Sequence, residues 1–139
     1  MYEDCFIDTN VILDVLLQND IFFQDSMRNF QLAETEYIRA YVSASSLTDI
    51  FYIIRKHLTI TVARNAINSL LTIFQVVGID GKDLKGALNL PVLDMEDALQ
   101  LWCAEKIHAD ALITRDIKGF PCDQMVVLSP VEFCMKYQL

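Results

Sequence analysis

Four aspartates stand where this chain changes character, and they are the residues whose placing could do chemistry. Asp8 ends the apolar run Cys5-Phe6-Ile7, and Asp49 follows the pair Ser45-Ser46. Asp97 comes three residues after Asp94, and Asp116 closes the stretch Leu112-Ile113-Thr114-Arg115. Carboxylates gathered in one place make a hard, oxygen-only site of the kind that takes Mg²⁺ or Mn²⁺. An ion held in that way activates water, orients a phosphate and stabilises a leaving oxygen, so the chemistry implied is phosphoryl chemistry. Each acid also has a plain structural reading. Asp8 can cap a helix. Ser46-x-x-Asp49 has nearly the form of a capping box. Asp94-x-x-Asp97 can supply an N-cap and a residue that offsets the helix dipole. Asp116 suits a turn. Singly, Asp49 and Asp97 fit the structural reading better, and Asp8 and Asp116 fit both equally. Together, four capping acids on one edge would repel one another unless something cationic sat between them.

Whether they meet depends on the elements that carry them. Cys5-Phe6-Ile7 reads as a short strand, Asp8-Thr9-Asn10 as a turn, and Val11-Ile12-Leu13 as the start of a helix. Residues Phe22 to Glu36 read as a helix with Phe23, Met27, Phe30 and Ala33 on one face. Ala40-Tyr41-Val42 is a second strand, after which Ser45 and Ser46 open a helix with Leu47, Ile50, Phe51, Ile54 and Leu58 at helical spacing. A helix over Thr61 to Ile73 leads to a strand over Phe74 to Ile79. Gly81 precedes a short helix over Lys82 to Leu88. Asp94 then begins a helix whose stripe is Met95, Ala98, Leu99, Trp102 and Cys103. Ala111 to Thr114 and Met125 to Leu128 are strands, and a last helix runs from Pro130 toward Tyr137. Strands alternating with helices in this order indicate an α/β architecture of three layers, a parallel sheet covered on both faces. Ligands of such sheets bind beyond the carboxyl ends of the strands. Asp8 and Asp116 follow two strands directly, and Asp49 and Asp97 lie in the first turns of two helices that begin at that edge. All four acids are expected on one rim.

Composition narrows the alternatives. The 139 residues suit one domain, 1–139, and hydrophobic residues make up 53%. No apolar run spans a bilayer, and Met1-Tyr2-Glu3-Asp4 lacks the basic and apolar stretches of a signal peptide, so a cytoplasmic protein is expected. Cys5, Cys103, Cys122 and Cys134 form no C-x-x-C pair, which argues against zinc and fits a reducing compartment. His57 and His108 each lie near an expected helix end, where histidine more often meets terminal carbonyls than does chemistry. The formal net charge of −8 argues against a module that blankets nucleic-acid phosphates with Lys and Arg. It leaves room for an enzyme whose acidic pocket changes local sign on binding divalent metal.

In four blocks the chain resembles the PIN domains. They are Phe6-Ile7-Asp8-Thr9-Asn10-Val11-Ile12-Leu13, Ser45-Ser46-Leu47-Thr48-Asp49-Ile50, Asp94-Met95-Glu96-Asp97-Ala98-Leu99 and Leu112-Ile113-Thr114-Arg115-Asp116. The resemblance covers essentially the whole chain and implies the Rossmann-like PIN fold, a central parallel sheet flanked by helices. PIN domains are typically Mg²⁺- or Mn²⁺-dependent ribonucleases, and many bacterial ones of this size are the VapC-type toxins of toxin–antitoxin pairs. Carried over by resemblance, Asp8, Asp49, Asp97 and Asp116 are the catalytic acids, with metal on Asp8, Asp97 and Asp116 and with Asn10 and Thr114 in support. The second acid of the family is commonly Glu, so the shorter Asp49 weakens the case for direct metal contact there. The implied reaction is hydrolysis of RNA to 5′-phosphate and 3′-hydroxyl ends. The implied partners are RNA, an antitoxin protein and a second copy in a homodimer. Arg55, Lys56, Arg115 and Lys118 are candidates for steering the RNA backbone, although a solvated helix face explains Arg55 and Lys56 better and Arg115 could simply pair with Asp116. Ile21, Phe22 and Phe23 fit core better than interface.

Rival readings divide on particular residues. A phosphatase with an aspartyl nucleophile wants Asp-x-Asp at the first strand's end, where this chain has Asn10. A phosphoacceptor receiver wants paired acids there, which Ile7-Asp8-Thr9 does not supply. A catalytically silent PIN-like module that binds RNA or protein predicts weak or absent metal binding and no cleavage.

Overall fold

The structure is a computed structural model that describes residues 3–121 and 124–137. Five strands form one parallel sheet in the order β3-β2-β1-β4-β5. They are β1 (Glu3–Ile7), β2 (Ile38–Ser43), β3 (Gln75–Val77), β4 (Ala111–Ile113) and β5 (Val127–Leu128). The helices are α1 (Thr9–Leu16), α2 (Phe23–Glu34), α3 (Ala44–His57), α4 (Ile60–Ile73), α5 (Gly81–Leu88), α6 (Met95–Lys106) and α7 (Pro130–Lys136). The expected α/β class, three layers and element order are all present.

Strand alternation divides the core between two faces. Cys5 and Ile7, Ala40 and Val42, and Ala111 and Ile113 point to one side, where residues of α1, α2, α3, α4 and α7 pack on them. Phe6 and Leu112 point to the other, under α5, α6, Phe120 and Met125. Cys5–Ile7 of β1 and Ala111–Ile113 of β4 are therefore covered on both faces, which is why those stretches read as unbroken apolar runs. Phe6, Ile12, Leu112 and Phe133 are fully covered, each contributing about 1.5–3 kcal/mol by burial. On the second face α5 and α6 touch at Gly86. A Cβ there would fall 2.3 Å from the Trp102 ring, so only glycine allows this approach.

Two expected stripes are displaced. In α2 the buried positions are Ser26, Asn29, Leu32 and Ala33, whereas Phe23, Met27 and Phe30 are half-buried. Polar residues occupy that stripe because they have partners there. Ser26 donates to Asp14 at 3.1 Å, and Asn29 donates to the carbonyl of Pro130 at 3.0 Å. In α6 the burial wraps further round than one stripe and takes in Gln100 and Leu101. Ile21, grouped with core from its neighbours, is exposed.

Candidate active site

The carboxyl edge of the sheet carries the chemistry-bearing residues. β1 ends at Asp8, whose backbone N–H continues the ladder to the Ile113 carbonyl at 2.9 Å. Asp8 then caps α1, its Oδ1 accepting from Thr9 N at 2.8 Å, so one residue closes a strand and starts a helix. Its side chain is only 6% exposed and is surrounded by donors. Gln100 Nε2 reaches Oδ1 at 3.1 Å, Thr114 Oγ1 donates to Oδ2 at 2.8 Å, and Asn10 Nδ2 lies at 3.3 Å from Oδ2. Asn10 and Thr114, the two expected supporting residues, thus stand directly against Asp8.

Gln100 was not singled out in the sequence, where it reads as one polar residue in an apolar helix. It is 1% exposed and lies at the centre of a buried network. Its Oε1 accepts from Ser43 Oγ at 2.7 Å, and its Nε2 also reaches Ser46 Oγ at 3.0 Å. Ser46 in turn meets Thr9 Oγ1 at 2.7 Å. The ends of β1 and β2 and the starts of α1 and α3 are joined to α6 through this one amide.

On the other side of the rim stand Asp97 and Asp116. Asp97 is the third residue of α6, its N–H bound by the N-cap Asp94 at 3.0 Å. Asp116 follows β4 and enters a 3-10 turn over Ile117–Gly119, its N–H donating to Thr114 Oγ1 at 3.0 Å. Thr114 therefore bridges the two sides, donating to Asp8 and accepting from Asp116. A Cβ placed on Gly119 would lie 2.8 Å from Asp116 Oδ2 and 3.1 Å from Asp97 Oδ2. The two carboxylates bracket one small space that this glycine leaves open. Their repulsion is visible in Asp97, whose carboxyl is pushed up to about 6 by burial first and then by Asp94, Asp8, Asp116 and Glu96.

Asp49 takes a more distant place. The cap of α3 is Ser43, which accepts from Ser46 N, so the helix begins earlier than Ser45 and Asp49 falls in its second turn rather than its first. The near capping box from Ser46 to Asp49 is not formed. Asp49 is exposed, and its charge acts on Glu96, whose carboxyl is raised by burial and then by Asp49, Asp8 and Asp94. Asp49 is not among the charges that raise Asp97.

Basic residues are sparse at this edge. Among the described residues none of the four acids has an ion-pair partner. Arg115 does not pair with its neighbour Asp116. It turns to the opposite side, binding Asp14 Oδ2 through Nε at 2.7 Å and lying 4.2 Å over the Phe22 ring. Arg55 and Lys56 are exposed in the last turn of α3, at the far end of that helix from Ser46, and Lys118 is exposed in the 3-10 turn. His57 meets the carbonyl of Ile53 at 3.0 Å, the helix-end role expected of it. Cys5, Cys103 and Cys134 are buried free thiols, and Cys122 lies outside the described residues.

The donor set fits a hard divalent cation. It is all oxygen and crowded with like charge, and Gly119 keeps a cradle open between two of its members. The cage is not closed: among the described residues no three His, Cys, Asp or Glu side chains already stand in a geometry that could hold a metal ion. Asp8 itself is held by four hydrogen-bond donors.

The profile of the family described as PIN domain matches residues 4–118. The chain belongs to the PIN-domain family. Along its length this PIN domain is 23% identical to "Ribonuclease VapC1" of Aquifex aeolicus, over 97% of this chain and 96% of the relative. In fold it is similar to VapBC2 of Rickettsia felis, solved with a DNA fragment from its promoter, with a TM-score of 0.72 at 15% identity over 91% of this chain and 98% of that one. It is similar also to VapC20 of Mycobacterium tuberculosis, a sarcin-ricin-loop-cleaving toxin, with a TM-score of 0.63 at 14% identity over 78% and 86% of the two chains. Among the described residues no helix of the PIN domain is long and apolar enough to cross a membrane.

Proposed function

We propose that this PIN domain is a Mg²⁺- or Mn²⁺-dependent ribonuclease, the toxin of a toxin–antitoxin pair, working in a reducing cytoplasm. The observation that carries the reading is the meeting of Asp8, Asp97 and Asp116 at one edge, with no ion-pair partner for any of them among the described residues. Asp8, Asp97 and Asp116 would hold the ion, which when bound supplies an activated water and charge stabilisation at phosphorus. Thr114 and Asn10 orient Asp8 through hydrogen bonds to Oδ2. Gly119 keeps Asp97 and Asp116 free to approach the same point. Asp49 and Glu96, further out on the rim, repel RNA phosphate unless screened, so they favour substrate entry only after cation binding. The VapC relative and the VapBC structures support an antitoxin protein as partner, and a homodimer is the expected assembly.

The silent-module reading draws on one observation, the engagement of Asp8 by four donors. One experiment separates the two. Purified protein is incubated with assorted RNAs and Mn²⁺ or Mg²⁺, beside Asp8→Asn and Asp97→Asn. Cleavage that chelator stops and that each substitution lowers on the order of 10³-fold supports the nuclease. RNA left intact under all conditions, with both variants folded, supports the silent module.

A further inference from the structure

We infer that the exposed face of α3 is a track for single-stranded RNA, on which Tyr52 stacks against a base and Arg55 and Lys56 hold phosphates away from the point of cleavage. The inference rests on the nuclease reading above and deepens it, since it says where the substrate's binding energy comes from. The rim supplies little of that energy, because carboxylates crowd there and repel phosphate. Elsewhere Arg28, Arg39, Lys106, Arg115 and Lys136 are each paired with a carboxylate. Residues 50–79 differ. They contain no Asp or Glu, so all 19 acids of the chain lie outside them, and they carry Arg55, Lys56 and Arg64. Among the described residues none of these three has an ion-pair or side-chain hydrogen-bond partner. Lys82 and Lys85 of α5, by contrast, follow Asp80 and Asp83 in the chain.

Placement turns this charge into a path. α3 begins at the carboxyl edge of the sheet, where Ser46 meets Gln100 and Thr9. Ile50 and Ile54 are buried, while Asp49, Tyr52, Arg55 and Lys56 are exposed. Residues three and four apart share a helix face, so Asp49, Tyr52 and Lys56 form one stripe with Arg55 beside it. From Asp49 to Lys56 the helix rises about 10 Å, roughly the length of three stacked nucleotides. A strand leaving the rim along this stripe meets Tyr52 first and then Arg55 and Lys56. Arg64, exposed one turn into α4, extends the basic surface past the α3–α4 corner. Tyr52 is 65% exposed, and among the described residues its hydroxyl has no hydrogen-bond partner and its ring no aromatic or cation contact. An open ring beside unpaired cations is the combination that binds single strands without reading sequence, the ring taking bases and the cations following the backbone. The helix dipole accounts for cations in the last turn of α3, but not for Arg64 near the start of α4 or for the exposed ring.

The test reads binding and cleavage separately. Affinity comes from the anisotropy of a fluorescein-labelled single-stranded RNA of mixed sequence, on an Asp8→Asn background that slows cutting. Cleavage comes from kinetics with Mn²⁺ in the native background. Arg55→Ala with Lys56→Ala is expected to weaken binding and raise KM about tenfold at unchanged kcat, and to flatten the slope of log affinity against log salt by about 1.4, as two phosphate contacts require. Tyr52→Ala is expected to weaken binding about tenfold with the salt slope unchanged. Lys85→Ala, a cation outside the track, leaves affinity and slope as they were. A trinucleotide, too short to reach from the cut to Lys56, should be cleaved alike by the native protein and all these variants. Unchanged affinity and salt slope in a folded Arg55→Ala, Lys56→Ala protein would overturn the inference; if that protein also sediments differently, the face seats a second copy of the chain instead. RNA bound through Arg55 and Lys56 but never cut overturns the nuclease reading and leaves the track standing. Cleavage that ignores both residues does the reverse.

Discussion

Asp14 and Asp8 belong to the same short helix and its cap, both are buried, and the protein treats them in opposite ways. Asp14, 2% exposed, is neutralised within the fold: Arg115 binds its Oδ2 at 2.7 Å and Ser26 donates to the same oxygen at 3.1 Å. The donors on Asp8 are all neutral, and its charge acts on the carboxyls of Asp97 and Glu96. A buried carboxylate beside a guanidinium is a finished structural pair. A buried carboxylate held by dipoles, facing other carboxylates, keeps its full negative charge available to something from outside. The arginine next in sequence to the rim is committed to Asp14, so it does not neutralise Asp116.

Breaking the finished pair should therefore produce the largest change in stability. Arg115→Ala leaves Asp14 charged and buried with one hydroxyl donor, and a loss of about 3 kcal/mol is expected from urea unfolding. Replacing both partners, Asp14→Leu with Arg115→Met, should cost clearly less than the single change, because no uncompensated charge remains. A double variant as unstable as Arg115→Ala would mean that packing against Phe22, rather than charge, dominates that corner.

The contrast between these two acids also marks how far the sequence could be read. Asp8, Asp97 and Asp116 were legible because each follows directly from chain direction: a strand end or a helix start must lie at the carboxyl edge of a parallel sheet. Partners across the fold were not. Arg115 reads as a partner of Asp116 by adjacency, yet consecutive residues leaving a strand point to opposite sides, which sends Arg115 to Asp14. Gln100 is polar in an apolar stretch, and nothing local distinguishes a solvent-facing glutamine from one that binds four groups brought in from β1, β2, α1 and α3. Ser26 and Asn29 were hidden in the same way, since a helical stripe is sought among apolar residues. Gly119 carries no motif, and its role appears only once Asp97 and Asp116 are seen to meet beside it.

Gly119 offers the second way to sharpen the comparison, this time at the open rim. Gly119→Ala adds a methyl group 2.8 Å from Asp116 Oδ2 and 3.1 Å from Asp97 Oδ2, closer than side-chain atoms tolerate. The carboxylates must rotate out of the space between them. Mn²⁺ affinity should fall about tenfold, equivalent to roughly 1.4 kcal/mol, while the metal-free melting temperature changes little. Unaltered affinity in calorimetry would show that Asp97 and Asp116 do not use that space for the cation.

The smallest effect has an unusual sign. In the folded metal-free protein the Asp97 carboxyl is raised from 3.8 to about 6, so the native state holds this proton more tightly than the unfolded chain does. Ionising Asp97 therefore weakens folding: the penalty is absent below the unfolded value, develops as pH rises between the two, and is complete above about 6. Asp97→Asn removes the charge and should make the metal-free protein more stable at pH 7.5, although the same substitution is expected to lower cleavage. Solvent screens this half-buried group, so the expected gain is modest, a rise of about 2 °C in melting temperature. The gain should shrink as the pH is lowered toward 4, and saturating Mn²⁺ should reverse the order by stabilising only the wild type. An Asp97→Asn protein that melts below the wild type at pH 7.5 without metal would show that the rim is not under electrostatic strain. Asp8 and Asp14 would then differ in partners but not in readiness for a cation.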